Sequence, residues 1–244
     1  MDHLFEGFLD NESYTVRLLS KEDISQVQQL QELVVETLTE KKNLQPLTYE
    51  ELDYILTGNG LMIGAFTAKG LIAFRALLIP PIDEEHLGLD VGLEAEELPR
   101  VIYQEISNVH PDYRGNRLQQ TLAHLIMQEQ VKLDQGFTYV ACTVAPFNIP
   151  SLKDKFKQGM EIAALKIKYV DQLRYVFIKR LDGEDREGEI SEIARVPMGD
   201  VEGQQALLQE GWRGISMEEE DDGGYRVLYV RRQSVTSIKI AELQ

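Results

Sequence analysis

Apolar residues recur along this chain in two periods, and the alternation between those periods lays out its elements. Residues 14–19 read as a strand. Ser20 stands as a helix N-cap with Asp23 in the first turn. Ile24, Val27, Leu30, Val34 and Leu38 then follow on one helical face. A second, shorter helix is predicted from Thr48, because Thr48 and Glu51 have capping-box spacing. Gly58 and Gly60 end it. Residues 61–67 and 71–79 flank Ala68-Lys69-Gly70 and predict a β-hairpin, closed by Pro80-Pro81. Residues 82–100 are a long acidic loop, a length at which loops often serve as lids or binding loops.

The apolar pattern then returns as a strand over 101–109, stopped by Pro111, which cannot donate to a sheet ladder. Leu118, Leu122, Leu125, Ile126 and Leu133 predict a helix over 115–135, with Gly136 placed as its C′ residue. A strand over 137–144, a short helix from Asn148 to about 157, and two strands over 160–169 and 172–180 complete this part. Residues 1–13 read as a loose or docked extension.

Composition shifts after residue 180. Residues 181–188 are a polar linker candidate. A strand (190–196), a helix (201–209) and two further strands (211–217 and 225–231) are predicted beyond it. Residues 181–244 hold 15 acidic and 7 basic side chains. The expected organisation is therefore a domain over 1–180 and a small acidic α+β extension over 181–244. Ile190, Ile193, Val196, Leu207, Leu208, Trp212, Val227, Leu228 and Val230 are too apolar to stay exposed, so the extension should pack on the rest of the chain.

The 244-residue chain has a net charge of −16 and 43% hydrophobic residues. That content suffices for a packed core. The charge argues against a nucleic-acid face, which needs a basic surface. It would steer cationic substrates in, or simply maintain solubility. No run of apolar residues is long enough to span a membrane, and no signal segment is evident, so a soluble, cytoplasmic protein is expected. Cys142 is the only cysteine. It excludes an intrachain disulfide and reads as a buried small hydrophobe. His86 lies beside Asp83, Glu84 and Glu85 without a spaced partner ligand, so an exposed loop is expected there and no metal site.

Residues 101–119 concentrate the chemistry. A strand, a tight loop holding Arg114-Gly115-Asn116, and a helix start follow one another. The free amides of a helix start beside an arginine make an anion site. Glu105 lies mid-strand, where an ionisable side chain is unexpected unless paired or functional. In a regular strand, Tyr103, Glu105, Ser107 and Val109 share one face. A bulge would break that parity. The structural alternative for Glu105 is pairing with a neighbouring arginine such as Arg75.

Two segments, in this order, resemble the GNAT superfamily of acyl-CoA-dependent N-acyltransferases. The first runs from Val109 through Pro111, Arg114, Gly115, Asn116, Arg117 and Leu118 to Gln119 and resembles the family's pyrophosphate loop. The second, from Asn148 and Ser151 to Gly159-Met160, resembles the segment that follows the fifth strand. The resemblance covers residues 14–180. It implies an α/β (α+β) fold, a mixed, mostly antiparallel central sheet flanked by helices. It also implies acetyl-CoA as cosubstrate, with no metal. Val109, Arg114, Gly115, Asn116, Arg117, Leu118, Gln119, Asn148 and Ser151 become the expected cofactor-binding set. Arg117 and Gln119 depart from the family, which has small residues there.

The implied reaction moves an acetyl group to a primary amine. Glu105 is the candidate base, taking the ammonium proton directly or through water. A backbone amide at Asn108 or Val109 would polarise the thioester carbonyl. Asn148 would position the pantetheine arm or a water, and it could equally be only a helix cap. Ser151 reads as helix-start chemistry. The family's usual tyrosine acid is replaced by Lys155, beside Phe156, and Lys155 reads as a solvated helix residue. The acceptor is an unidentified small-molecule or peptide amine, for which the acidic balance favours a cation. No membrane or nucleic-acid partner is expected, and a homodimer is left open. The alternative is a non-catalytic acyl-CoA-binding or protein-interaction module on the same fold.

Overall fold

The computed structural model describes residues 3–9, 12–38, 45–133, 135–183 and 188–233. It divides into two compact units, residues 1–142 and 143–244. Residues 184–187 of the predicted linker lie outside the described residues.

In the first unit the strands are β1 (Phe5–Leu9), β2 (Glu12–Leu18), β3 (Gly60–Thr67), β4 (Gly70–Leu78), β5 (Val101–Val109) and the greater part of β6 (Tyr139–Val144), whose last two residues fall in the second. They lie side by side in chain order. The first five are antiparallel neighbours, and β6 runs parallel to β5. The extension expected over residues 1–13 includes β1, which pairs with β2 from Phe5↔Val16 to Leu9↔Glu12.

Helices α1 (Ile24–Glu36) and α2 (Tyr49–Leu56) cover one sheet face. Their apolar stripes, Ile24, Val27, Leu30 and Val34 with Leu52 and Ile55, meet Met62, Phe74, Ala76 and Ile106 in one buried cluster. Each fully buried aliphatic side chain contributes about 1.5–3 kcal/mol. The capping box at α2 forms as the spacing required. Thr48 N–H donates to Glu51 Oε2 at 2.7 Å, and Glu51 N–H donates to Thr48 Oγ1 at 3.2 Å. At the start of α1, the guanidinium of Arg17 binds both Asp23 oxygens at 2.7 and 2.9 Å. The Arg17 hydrogen bond is the first cause holding the Asp23 carboxyl below its ordinary pKa.

The 82–100 loop is ordered, with a short helix α3 (Leu87–Asp90) that buries Leu87 and a buried Leu98 further on. Helix α4 (Leu118–Gln130) begins three residues later than the sequence pattern predicts and ends in a short 3-10 turn. It packs on β3, β4 and β5. Among the described residues no helix is long and apolar enough to cross a membrane.

The second unit holds α5 (Ile149–Lys157), β7 (Glu161–Lys168), β8 (Gln172–Arg180), β9 (Glu189–Pro197), α6 (Val201–Gln209), β10 (Arg213–Glu219) and β11 (Tyr225–Gln233). Its strand order is β8-β7-β10-β11-β9. The acidic extension therefore packs on earlier residues, but not through every apolar side chain expected to be covered: Ile190 and Ile193 on β9 stay 50% and 57% exposed. Gly214 of β10 pairs with Ile162 of β7. Gly214 suits this junction, because a Cβ there would sit 3.1 Å from Ile162 and Val227.

Candidate acyl-transfer site

The β4–β5 ladder is irregular at one place. Ala76 pairs with Ile106 but Leu77 pairs with Gln104, so Glu105 is an extra residue, a β-bulge. The bulge breaks the predicted face-sharing. Directly opposite residues share a sheet face, so Ser107 lies with Arg75, and Asn108 with Phe74. Ile106 joins the cluster under α1 and α2. Glu105 comes under the influence of Glu51, on α2. Ser107 and Glu105 are therefore not on one face.

Glu105 is the exposed residue of β5, although protein crowds its carboxyl. Burial first, and the Glu51 carboxylate second, raise its pKa from 4.5 to about 7. Among the described residues no cation pairs with it. Arg75, the expected structural partner, is buried and points elsewhere. It donates to Gln104 Oε1 at 2.6 Å and to the Gln119 carbonyl at 3.4 Å, linking β4 to the start of α4.

The register also decides which amides are available. His110 N–H donates to Ile72 O at 2.8 Å. In an antiparallel ladder hydrogen-bonded pairs alternate with open ones, so Asn108↔Phe74 is a bonded pair and Val109↔Ala73 and Ser107↔Arg75 are open pairs. The amide of Asn108 is thus engaged with β4. The amides of Ser107 and Val109 point to the opposite edge of β5. That edge pairs with β6 only from Val101↔Tyr139 to Tyr103↔Ala141. Of the two amides expected to polarise a carbonyl, the ladder consumes Asn108 and leaves Val109. Two buried polar atoms nearby, Ser107 Oγ and Asn108 Nδ2, have no hydrogen-bond partner among the described residues. Orphaned polar atoms of this kind mark a place where a ligand or water completes the set.

After β5 the chain turns through Pro111–Tyr113 and enters α4. Gly115 has φ 84°, and Arg117, at the N-cap of α4, has φ 60°. The left-handed residue accounts for the late helix start. Gln120 and Thr121 N–H both reach Arg117 O at 3.0 Å, while the amides before them have no intrahelical acceptor. Arg114 is exposed and donates to Thr37 Oγ1 at 3.0 Å. Asn116 Nδ2 donates to Tyr113 O at 3.2 Å. Free amides, a helix N-terminus and two arginines form a donor set that fits a pyrophosphate.

Arg117 occupies a conformation that costs an L-residue roughly 1–2 kcal/mol. Arg117→Gly should therefore raise stability by about 0.5–1 kcal/mol, glycine's greater unfolded freedom offsetting part of the relief. Thermal melts should show it. The same variant should bind polyphosphate anions more weakly at low salt, because a cation is lost.

The acidic 82–100 loop abuts the start of β5. Leu87 N–H donates to Tyr103 OH at 2.5 Å, and Tyr139 OH donates to Glu97 Oε1 at 2.7 Å. His86 corrects an expectation: it is 1% exposed, not on an open loop. It caps α3 by accepting from Gly88 N–H at 3.0 Å, and its ring lies 5.5 Å from that of Tyr103. Among the described residues no group of three or more His, Cys, Asp or Glu side chains could hold a metal. Cys142 is buried, as expected.

In the second unit, Asn148 is the N-cap of α5 and accepts from Ser151 N–H at 3.4 Å. Lys155 corrects a second expectation. It is 8% exposed rather than solvated, with Nζ 3.5 Å from Asp154 Oδ2. Leu152 and Lys155, three residues apart, share the inward face of this short helix.

No family model matches the sequence, and no curated protein matches it. Solved structures do match. A GNAT-family acetyltransferase from Listeria monocytogenes has a TM-score of 0.51 at 14% identity, covering 72% of this chain and 100% of its own. The yncA protein of Salmonella typhimurium, a suspected acetyltransferase solved with its cofactor acetyl-CoA, has a TM-score of 0.53 at 12% identity, covering 71% and 96%. The ribosomal-protein-S18-alanine N-acetyltransferase of Escherichia coli has a TM-score of 0.51 at 13% identity, covering 71% and 98%. At such identities the likeness is one of architecture, and by that architecture this chain has the GNAT acetyltransferase fold.

Proposed function

We propose that this protein is an N-acetyltransferase that moves an acetyl group from acetyl-CoA to a primary amine. The observation that carries the reading is Glu105, set on a strand bulge, free of cation partners among the described residues and held near neutrality. A carboxylate with a pKa near the working pH suits a general base. An amine acceptor arrives as an ammonium with a pKa of about 10 and must lose a proton before it can attack. Glu105 accepts that proton, directly or through water.

The cosubstrate, when bound, supplies an acyl thioester for transfer. The amides of Gly115, Asn116, Arg117, Leu118 and Gln119, with Arg114 and Arg117, would hold its pyrophosphate. The outward amide of Val109 would donate to the developing oxyanion. Asn148 and Ser151 are assigned to the cosubstrate from the family resemblance alone. Residues 1–180 would form the acetyltransferase domain, with 181–244 as an added segment. Glu51, Glu105 and the acidic 82–100 loop favour a cationic acceptor, a small molecule or a peptide amine.

Calorimetric titration with acetyl-CoA tests the reading first. Wild type should bind, and Arg114→Ala should bind about tenfold more weakly, roughly 1.4 kcal/mol. An amine panel scored by release of free CoA thiol then tests turnover. Binding without any turnover would favour the acyl-CoA-binding module, and no binding in either protein would sink both.

A further inference from the structure

We infer, on the acyl-transfer reading, that Arg75 is a positioning residue: a buried brace that holds the base on β5 and the anion amides of α4 in one fixed relation. Arg75 stands mid-strand on β4 and is 1% exposed. A guanidinium at that depth needs acceptors, because burying a charge is costly. Two of its acceptors come from the two elements that carry the site. Gln104 Oε1, on β5, accepts at 2.6 Å, and Gln119 O, in the first turn of α4, accepts at 3.4 Å.

The contact with Gln104 selects the register of β5. Leu77 opposes Gln104, and Glu105 is the extra residue between that pair and Ala76↔Ile106. Were the bulge lost, Glu105 would itself oppose Leu77 and share its face of the sheet, which is also the face of Arg75. A one-residue slip of this kind moves a side chain from one face to the other. The short, charge-assisted bond keeps Gln104, also buried, on the Arg75 face. Glu105 is thereby left to the face on which Glu51 of α2 acts on it.

The second contact fixes the anion end. The Gln119 amide belongs to the donor set at the start of α4, and Arg75 holds the carbonyl of the same residue. Arginine suits both tasks together, because its planar fork presents several donors in fixed directions, whereas a lysine ammonium is one point. Base and anion amides are thus referred to a single buried side chain. Rate depends on such registration, since a misplacement of about 1 Å can cost about 100-fold.

Inorganic pyrophosphate is the probe, and amide hydrogen exchange in the full-length protein is the readout. In wild type, pyrophosphate should slow exchange at residues 117–119. It should also slow Ile106 N–H, which it does not touch, by about fivefold relative to β3. The ladder alternation makes Ala76↔Ile106 a bonded pair, so this amide reports opening of the bulge. In Arg75→Lys the slowing at 117–119 should remain and the slowing at Ile106 should vanish. Gln104→Met, which removes one acceptor and leaves Arg75 in place, should uncouple the two ends in the same way, and it carries the test where the lysine variant does not fold. With the primary amine that wild type acetylates fastest, either variant should bind acetyl-CoA within about threefold of wild type and lose about 100-fold in kcat. If wild type binds no acetyl-CoA, the acyl-transfer reading falls and the brace with it. If it does bind, the brace alone is overturned by equal slowing of Ile106 in wild type and variants, by slowing no greater than in β3, or by an unchanged kcat.

Discussion

Glu105→Gln is expected to lower kcat by about 10²–10⁴-fold, the range for a lost general base, while acetyl-CoA affinity stays near wild type. The pH profile should carry the same signature. With a pKa of about 7, Glu105 is protonated and idle below neutrality. The wild-type kcat/KM should therefore rise with pH through 7, and the limb should vanish in the variant. Glu51→Gln removes the smaller of the two causes of the raised pKa. The limb should then move to lower pH without reaching the ordinary carboxylate range, because burial remains.

A test that needs no acceptor follows from the same group. Between pH 4.5 and about 7 the folded protein holds a proton that the unfolded chain has released. Glu105 thus contributes most to stability below pH 4.5, and that contribution falls as pH rises through 7. Above pH 7 the wild type carries an ionised carboxylate in a crowded place. Glu105→Gln should melt higher than wild type at pH 8 and little differently at pH 4. An inactive but more stable variant is what a functional, poorly accommodated charge predicts. A variant that melts lower at pH 8 would mean that Glu105 serves the fold instead.

The elements of this fold were legible because their signals are local. The α1 stripe as far as Val34, the Thr48–Glu51 box and the 201–209 helix each lie within one stretch of chain, and each forms where its pattern places it, whereas Leu38, the last expected member of the stripe, lies beyond the helix end at Glu36. The order of strand, loop and helix around Arg114 was legible for the same reason. The bulge at Glu105 was not, because it exists only in the pairing of β5 with β4, and no property of residues 101–109 alone marks it. It decided two things of consequence: which face Glu105 joins, and that Ser107 stays behind with Arg75. The availability of the Val109 amide likewise comes from the register with β4. The start of α4 was misplaced because a left-handed residue is usually announced by glycine, and here it is Arg117. His86 and Lys155 read as solvated by composition, yet both are buried, where His86 accepts from Gly88 N–H and packs on the Tyr103 ring and Lys155 Nζ lies 3.5 Å from Asp154. Strand β1 was missed because it is short and interrupted by glycine and glutamate.

Gln204→Leu should destabilise the second unit by about 3–5 kcal/mol, although it swaps a polar residue for an apolar one at a buried helical position. Gln204 is 0% exposed. Its Oε1 accepts from Tyr175 OH at 2.7 Å and from Tyr229 OH at 2.9 Å. Its Nε2 donates to Met198 O at 2.9 Å and to Asp200 O at 3.2 Å. One amide thus ties α6 to strands 54 positions apart in sequence, Tyr175 on β8 and Tyr229 on β11. Both phenols are buried, and burial pushes both pKa values well above the ordinary 10. Leucine would leave two buried hydroxyls and the Met198 carbonyl without this partner, at roughly 1–3 kcal/mol for each buried deficit that cannot relax, while Asp200 O keeps the backbone N–H of residue 204 at 3.1 Å. Tyr175→Phe should cost much less, about 1 kcal/mol, because Gln204 keeps its second donor. Combining Gln204→Leu with both tyrosine-to-phenylalanine changes should recover part of the loss, since removing every partner leaves fewer orphans than removing one. Trp212 is the only tryptophan in the chain and is buried in this unit, so its fluorescence in urea reports the transition directly. A triple variant no more stable than Gln204→Leu would assign the loss to side-chain shape rather than to the hydrogen bonds.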